Sequence, residues 1–234
     1  MVEPRYRRAQ LTMVTIPRIA RVPRHLGLIP DGNRRWADTR SLARHEGYAA
    51  GIEPGLQLVD ACRSLGIAEV SVYGFTKENV RRPAAQVRAF RGACIRFAER
   101  VTDLGAALLV VGDMRSKAFP DELRRYAVRS SGDIRINLLA NYSWRWDLHG
   151  DPNSATHNGH SRSRDITHRL ASGSVPRVDL VVRWGGRQRL SGFLPIQSSY
   201  ADFYMIDSLW PDMKLEDFFK ALRWYGHQED TLGG

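Results

Sequence analysis

Short apolar runs alternate with longer amphipathic ones along this chain, and that alternation predicts its architecture. H-L-G-L-I (25–29), E-V-S-V-Y-G (69–74), A-L-L-V-V (107–111), I-R-I-N-L-L-A (134–140) and V-D-L-V-V-R (178–183) read as strands, with D-F-Y-M (202–205) a weaker sixth. Their near-continuous Val, Ile and Leu content, without strict alternation, suits strands covered on both faces. Between them, apolar residues recur at helical spacing. Leu56, Val59, Cys62 and Leu65 do so within 48–65, and Val87, Phe90, Cys94, Phe97 and Val101 within 84–104. Leu215, Phe218, Phe219, Leu222 and Tyr225 repeat the pattern within 214–227. Gly66 stands in the expected stop position, and residues 121–130 read as a further helical stretch after Pro120. The alternation predicts an α/β fold: a single domain over 25–234 with a central, mostly parallel six-stranded sheet flanked by helices.

Two segments fall outside that pattern. Residues 1–24 carry Arg5, Arg7, Arg8, Arg18, Arg21 and Arg24, interrupted by Pro4, Pro17 and Pro23, and read as a basic N-terminal arm without the apolar core of a signal peptide. D-P-N-S-A-T-H-N-G-H-S-R-S-R (151–164) is polar and rich in turn-formers, so it reads as an exposed loop. His149, His157, His160 and His168 lie in or beside it, but their spacing matches no metal-binding pattern.

Composition narrows the functional classes. The 234 residues are 43% hydrophobic and 26% charged, the balance of a soluble globular protein able to bury a sizeable core. Lys and Arg number 35 against 25 Asp and Glu, and this net +10 asks for an anionic partner: nucleic acid, an acidic membrane surface or a phosphorylated small molecule. No recognisable nucleic-acid module accompanies the charge. Cys62 and Cys94 both sit in helical runs, which makes neither a disulfide framework nor a metal pattern and fits a reducing cytoplasm. No apolar run approaches the roughly 20 residues of a membrane span.

Ligands of open α/β sheets bind at the carboxyl ends of the strands, and the polar clusters of this chain follow four of them. They are P-D-G-N-R-R-W-A after 25–29, F-T-K-E-N-V-R-R-P after 69–74, N-Y-S-W-R-W-D after 134–140 and W-G-G-R-Q-R-L-S-G after 178–183. Asp31, Asn33, Arg35, Thr76, Asn79, Arg82, Arg183, Arg189 and Ser191 are thereby directed to one sheet edge. The set suits a diphosphate. Arginine presents a planar fork to phosphate oxygens. Gly185 and Gly186 allow backbone N–H groups close to an anion. Asp31 could supply the carboxylate oxygen that Mg2+ takes beside phosphate oxygens. Neither a Gly-x-x-x-x-Gly-Lys-Ser/Thr loop nor a Gly-x-Gly-x-x-Gly after the first strand is present. Taken alone, Asp-Gly-Asn is an ordinary turn and the tryptophans are core or rim residues. The weight lies in their convergence.

The same four stretches carry a family resemblance. H-L-G-L-I-P-D-G-N-R-R-W-A, V-S-V-Y-G-F-T-K-E-N-V-R-R-P, D-L-V-V-R-W-G-G-R-Q-R-L-S-G-F-L-P-I-Q and Y-A-D-F-Y-M-I-D-S-L-W-P-D resemble the cis-prenyltransferases, the family of undecaprenyl diphosphate synthase. The likeness runs from about His25 to Gly234 and weakens across 149–177. It implies a homodimer of cis-prenyltransferase-like fold. It also implies a Mg2+-dependent transfer of an allylic prenyl group from its diphosphate to a second isoprenoid diphosphate. By the resemblance Asp31 helps ionise the allylic diphosphate, while Gly32, Asn33, Arg34, Arg35, Trp36 and Arg44 surround it. Thr76 and Asn79 assist proton removal and placement, with Tyr48 and Arg82 on the substrate. Arg183, Arg189 and Ser191 match the second diphosphate site, and Asp202 falls where the family has a glutamate near the metal.

The chain departs from the family pattern at Tyr48 (usually histidine), Val80 (usually tryptophan), Arg187 (acidic in bacterial long-chain members), Gln188 and Trp184. All but Tyr48 adjoin the acceptor. That pattern resembles the branch making short, branched lavandulyl-type diphosphates by head-to-middle coupling. Two readings compete with it: a linear head-to-tail synthase using isopentenyl diphosphate, and a noncatalytic partner subunit, which would lack Asp31. Gly74 would leave a long product tunnel open, whereas Phe90, Phe97 and the 149–177 segment could close it.

Overall fold

A computed structural model describes residues 17–150 and 169–228. Six strands, β1 (His25–Ile29), β2 (Glu69–Tyr73), β3 (Ala107–Val111), β4 (Arg135–Leu139), β5 (Leu180–Trp184) and β6 (Asp202–Ile206), form one sheet in the order β3-β4-β2-β1-β5-β6. Every pairing is parallel, as the expected mostly parallel six-stranded sheet requires. Parallel neighbours require crossovers, which here are α3 (Ile52–Ser64) between β1 and β2 and α4 (Ala84–Asp103) between β2 and β3. Both bury the stripe that their apolar spacing foretold, including Leu56, Val59 and Cys62 on α3 and Cys94, Phe97 and Val101 on α4. With α6 (Leu215–Gly226) they cover one face of the sheet. The other face is filled by Phe193, Leu194, Val175, Val178 and Tyr142.

Two local expectations need correcting. The helix expected over 48–65 is split at Gly51 into α2 (Glu46–Ala50) and α3, because α2 packs directly on the start of α1 (Asn33–Thr39). A Cβ at Gly47 would stand 2.0 Å from the Asn33 carbonyl oxygen, so the approach requires glycine. The stretch 121–130 forms only a 3-10 segment, Asp121–Tyr126. Its buried residues, Leu123 and Tyr126, are three apart, the repeat of a 3-10 turn. The polar N-Y-S-W-R-W-D stretch after β4 contains the short helix α5 (Trp144–Leu148). Part of the expected N-terminal arm is tied down as well. Arg21 donates to the Tyr225 hydroxyl (3.2 Å) and the Gln228 carbonyl (3.0 Å), and Ile19 and Val22 pack on the core. The 151–164 loop, with His157, His160 and His168, lies outside the described residues.

A buried polar network closes the amino end of the sheet. The His25 Nδ1–H donates to the Arg177 carbonyl (3.0 Å), which leaves Nε2 to accept from the Ser71 hydroxyl (2.9 Å). The Asn137 amide donates to Ser71 Oγ (2.9 Å) and Glu69 Oε1 (2.8 Å), and Glu69 is held by Arg135 (2.7 Å). Burial lowers the His25 pKa below the ordinary imidazole value, against the opposing pull of Glu69 and Asp179. The unfolded chain therefore takes up this proton first. Stability is complete above the ordinary histidine pKa near ~6.5 and falls as pH drops from there towards the folded value, by at most about 1.4 kcal/mol per pH unit. Thermal melts at pH 7.5 and 5.5 are expected to show this loss, and His25→Gln to remove most of it; an unchanged pH slope in the variant would place the titration elsewhere.

Candidate active site

The strand order reverses at β1, which has β2 on one side and β5 on the other, so a crevice opens above their carboxyl ends. Asp31 sits two residues beyond β1. Its Oδ1 accepts from the Gly32 N–H (2.6 Å) and its Oδ2 from the Arg183 guanidinium at the end of β5 (2.7 Å). This one ion pair joins two segments that lie 152 residues apart in sequence. Arg183 is buried, and also donates to the Ser191 hydroxyl (2.8 Å) and the Arg189 carbonyl, folding the W-G-G-R-Q-R-L-S turn back over the strand end. Arg35, one helical turn after Asp31, donates to the Gly185 carbonyl (2.8 Å) and lies 3.6 Å from the Asp31 carboxylate. Gly185 has φ of 84°, in the left-handed region that favours glycine, and a Cβ there would also stand 3.0 Å from the Asp31 carbonyl oxygen, so the turn closes on β1 around glycine.

The β2 end supplies the third wall. The Asn79 side-chain carbonyl accepts from the Thr76 N–H (3.0 Å), which caps the 3-10 segment Lys77–Arg81 and fixes both residues. Arg82 donates to the Tyr48 hydroxyl (2.8 Å). Tyr73 donates to the Ser191 carbonyl (2.9 Å), and burial raises its phenol pKa well above the ordinary range, so it remains a neutral donor.

These walls enclose a cleft of about 510 Å³. Its lining includes Arg34, Arg35, Arg44, Arg82, Arg183, Arg187 and Arg189 against Asp31, Asp38 and Glu78, an excess of cations that fits a polyanion. Arg44 is exposed and already paired with Asp38 (2.9 Å), which raises its pKa. Arg34, Arg187 and Arg189 make no ion pair with a described carboxylate and are available to an anion. Behind the cleft lies a separate apolar cavity of about 60 Å³, bounded by Leu28, Val72, Leu138, Phe97 and Trp210.

Of the residues expected at the site, Asp31, Gly32, Asn33, Arg34, Arg35, Arg44, Tyr48, Thr76, Asn79, Arg82, Arg183, Arg189 and Ser191 all line the cleft. Trp36 does not. Its indole donates to Asp212 (2.8 Å) beneath the Arg40 guanidinium, on the outer side of α1. Asp202 is also elsewhere. It pairs with Leu180 at the amino end of β6, four residues and roughly 13 Å of strand from the cleft end, so within one chain it cannot share an ion with Asp31. The N-Y-S-W-R-W-D cluster misses too, because β4 lies one strand further out. Ser143, Arg145 and Trp146 face a different cleft beside Lys77 and Asp113. Tyr73, Glu78 and Asp38 also line the cleft, beyond the residues expected there from sequence. Asp38 follows Asp31 by seven residues, two helical turns, a spacing visible in sequence; Tyr73 carries no comparable signal.

Among the described residues no three His, Cys, Asp or Glu side chains cluster as a self-sufficient metal site. Mg2+ does not need one, since it is commonly bound through one or two carboxylates plus substrate phosphates and water. The partly exposed Asp31 carboxylate beside an arginine-lined cleft fits that arrangement.

Comparison with known proteins agrees with this geometry. The sequence profile of a family described as undecaprenyl diphosphate synthase matches residues 29–233. A ditrans,polycis-undecaprenyl-diphosphate synthase ((2E,6E)-farnesyl-diphosphate specific) of Pseudomonas putida is 34% identical over 229 residues, covering 91% of each chain. An isoprenyl transferase of Nitrosomonas europaea is 34% identical, covering 93% of this chain and 88% of its own. The crystal structure of lavandulyl diphosphate synthase from Lavandula x intermedia superimposes with a TM-score of 0.78 at 22% identity, over 89% of this chain and 97% of that one, a likeness of fold. No described helix is long and apolar enough to cross a membrane. With its strand-end motifs built into one cationic cleft, the chain belongs to the undecaprenyl diphosphate synthase family and is a prenyltransferase.

Proposed function

We propose that this cleft joins an allylic diphosphate to isopentenyl diphosphate by head-to-tail transfer with a cis double bond. The observation that carries the reading is the Asp31–Arg183 pair, which makes the β1 and β5 halves of the cleft contiguous. Two diphosphates bound on either side of it would hold donor and acceptor carbons together, an arrangement that removes much of the entropic barrier. Arg34, Arg35 and Arg44 serve the allylic diphosphate, and Arg183, Arg189 and Ser191 the second one. Asp31 would hold Mg2+ together with phosphate oxygens, and the ion supplies charge neutralisation to the departing diphosphate.

In the reaction the allylic C–O bond breaks, diphosphate leaves with the electron pair, and the acceptor's double bond attacks the resulting electrophilic carbon. The arginine forks stabilise the negative charge that grows on the leaving oxygens. A proton is then lost from the acceptor to form the new double bond. By the family resemblance Thr76 and Asn79, which line the cleft, orient that carbon; neither is basic enough to retain the proton, which passes to a diphosphate oxygen. The aromatic and aliphatic wall behind keeps water from the cationic carbon.

The names of the curated relatives support linear coupling over the branched, lavandulyl-type alternative. One feature favours the alternative: Arg187 and Gln188 occupy the turn after Gly186 at the acceptor side, with Arg187 on the cleft. The family resemblance further supports a homodimer, and two buried free thiols suit a reducing cytoplasm. Incubation with Mg2+ and dimethylallyl, geranyl or farnesyl diphosphate, each with and without isopentenyl diphosphate, distinguishes the readings. Growth only with isopentenyl diphosphate is expected. Coupling of allylic diphosphates in its absence would establish the branched alternative, and no turnover with any pair would favour the partner-subunit reading.

A further inference from the structure

We propose that Tyr73 is a positioning residue of the second-diphosphate subsite: its hydroxyl pins Ser191 in a strained turn that presents a free hydroxyl proton to the cleft. The proposal rests on reading Arg183, Arg189 and Ser191 as the seat of that diphosphate. Ser191 has φ of 54°, a left-handed conformation that residues other than glycine seldom adopt. Such a conformation persists only where the surroundings over-determine it, and it concentrates at binding sites. Gly192 follows with φ of 81°, so the chain turns sharply here. A Cβ at Gly192 would stand 2.8 Å from the Trp144 indole, so the turn is packed from outside as well.

Two side chains hold the strained residue. Arg183 donates to the Ser191 hydroxyl oxygen (2.8 Å), and Tyr73, the last residue of β2, donates to the Ser191 carbonyl (2.9 Å). What matters is the capacity this leaves. A serine hydroxyl can give one proton and accept through its oxygen, whereas a guanidinium can only donate. Arg183 therefore fills an acceptor position and leaves the proton unused. Among the described residues no acceptor takes that proton, and Ser191 lines the cleft. A phosphate oxygen there would receive it in a charge-assisted hydrogen bond. Tyr73 is itself fixed. Its ring stands edge-on to Phe193 (5.3 Å) and to Tyr142 (6.2 Å). Tyr142 is fully buried and donates to Asp147 (2.7 Å), which also accepts from the Ser172 N–H and hydroxyl (2.8 Å each). A buried, mutually satisfied network thus sets where the Tyr73 hydroxyl stands, and the turn inherits that placement. Burial keeps the phenol protonated, so its bond to the turn persists at any working pH.

The test is a double-mutant cycle on Tyr73→Phe and Ser191→Ala, with a thermal melt of each variant. Tyr73→Phe keeps the ring in its aromatic setting and removes only the hydroxyl. Two quantities are read. One is the affinity for isopentenyl diphosphate alone, which has no allylic partner to react with. The other is hydrogen exchange of the Phe193 amide, which donates to the Leu190 carbonyl (3.0 Å) across the turn. Ser191→Ala should weaken isopentenyl diphosphate binding roughly tenfold or more, as loss of a hydrogen bond to a charged group does. Tyr73→Phe should also lose roughly tenfold and speed Phe193 exchange, while its affinity for dimethylallyl thiolodiphosphate stays native. In the Ser191→Ala background, Tyr73→Phe should cost less than about threefold, because the hydroxyl it positions is already gone. An unchanged isopentenyl diphosphate affinity in Tyr73→Phe would overturn the proposal and leave prenyl transfer standing, as would losses that multiply in the double variant. A native chain that does not bind isopentenyl diphosphate, with faster Phe193 exchange in Tyr73→Phe, would support the clamp on Ser191 and count against the acceptor assigned to this subsite.

Discussion

Asp31→Ala is expected to lower kcat/KM by roughly 10³-fold, since removing a single preorganised charge-stabilising group costs about 10²–10³ in rate and the proposed mechanism also gives Asp31 the cation. Binding of the second diphosphate should change far less. The fold survives, because Asp31 is about a third exposed and Arg183 keeps the Ser191 hydroxyl and the Arg189 carbonyl as acceptors. The loss of stability should stay within about 1–3 kcal/mol. Asp31→Asn isolates the charge, since an amide oxygen can still accept from the Gly32 N–H at 2.6 Å. Steady-state kinetics with a parallel thermal melt check both variants. A turnover number near native in either would remove Asp31 from the role assigned to it.

Arg183→Ala should produce the second-largest loss, by a different route. The buried guanidinium serves the Asp31 carboxylate, the Ser191 hydroxyl and the Arg189 carbonyl together, so its removal frees the turn that carries Arg187 and Arg189. We expect roughly 10²–10³-fold lower kcat/KM, expressed mainly as a higher KM for the second diphosphate, with a lower melting temperature. Arg183→Lys should recover only a small part, because an ammonium cannot span three acceptors as a planar fork does. The double variant with Asp31→Ala should lose less than the sum of the two on a logarithmic scale, as partners in contact do. Additive losses would mean that the β1 and β5 halves work independently. A native KM for both substrates in Arg183→Ala would remove it from the site.

Most of the cleft was legible before any coordinates because its residues follow strand ends directly. Once β1, β2 and β5 are recognised, Asp31, Thr76 and Arg183 can only emerge at their carboxyl ends. The residues placed elsewhere in the chain were put there by strand order, helix rotation and strand register. N-Y-S-W-R-W-D also follows a strand, but that strand lies between β3 and β2, away from the reversal in strand order. Trp36 belongs to the right motif, yet helical rotation turns it outward to Asp212 and Arg40, whereas Arg35, one residue earlier, faces Gly185. Asp202 was assigned by its place in a family motif, and the register of β6 puts it at the opposite end of the sheet.

The sequence by itself determined the α/β class, all six strands, the crossover helices, the cationic character of the site and most of its polar residues. Each depends on local periodicity or on residues adjacent in the chain. Only the tertiary structure decided that all six strands run parallel, that Asp31 pairs with Arg183, that Tyr48 stacks on Phe90, and that Trp36 and Asp202 stand outside the cleft. Those outcomes are set by strand order, register and helix rotation, in which residues tens to more than a hundred positions apart are brought together by packing.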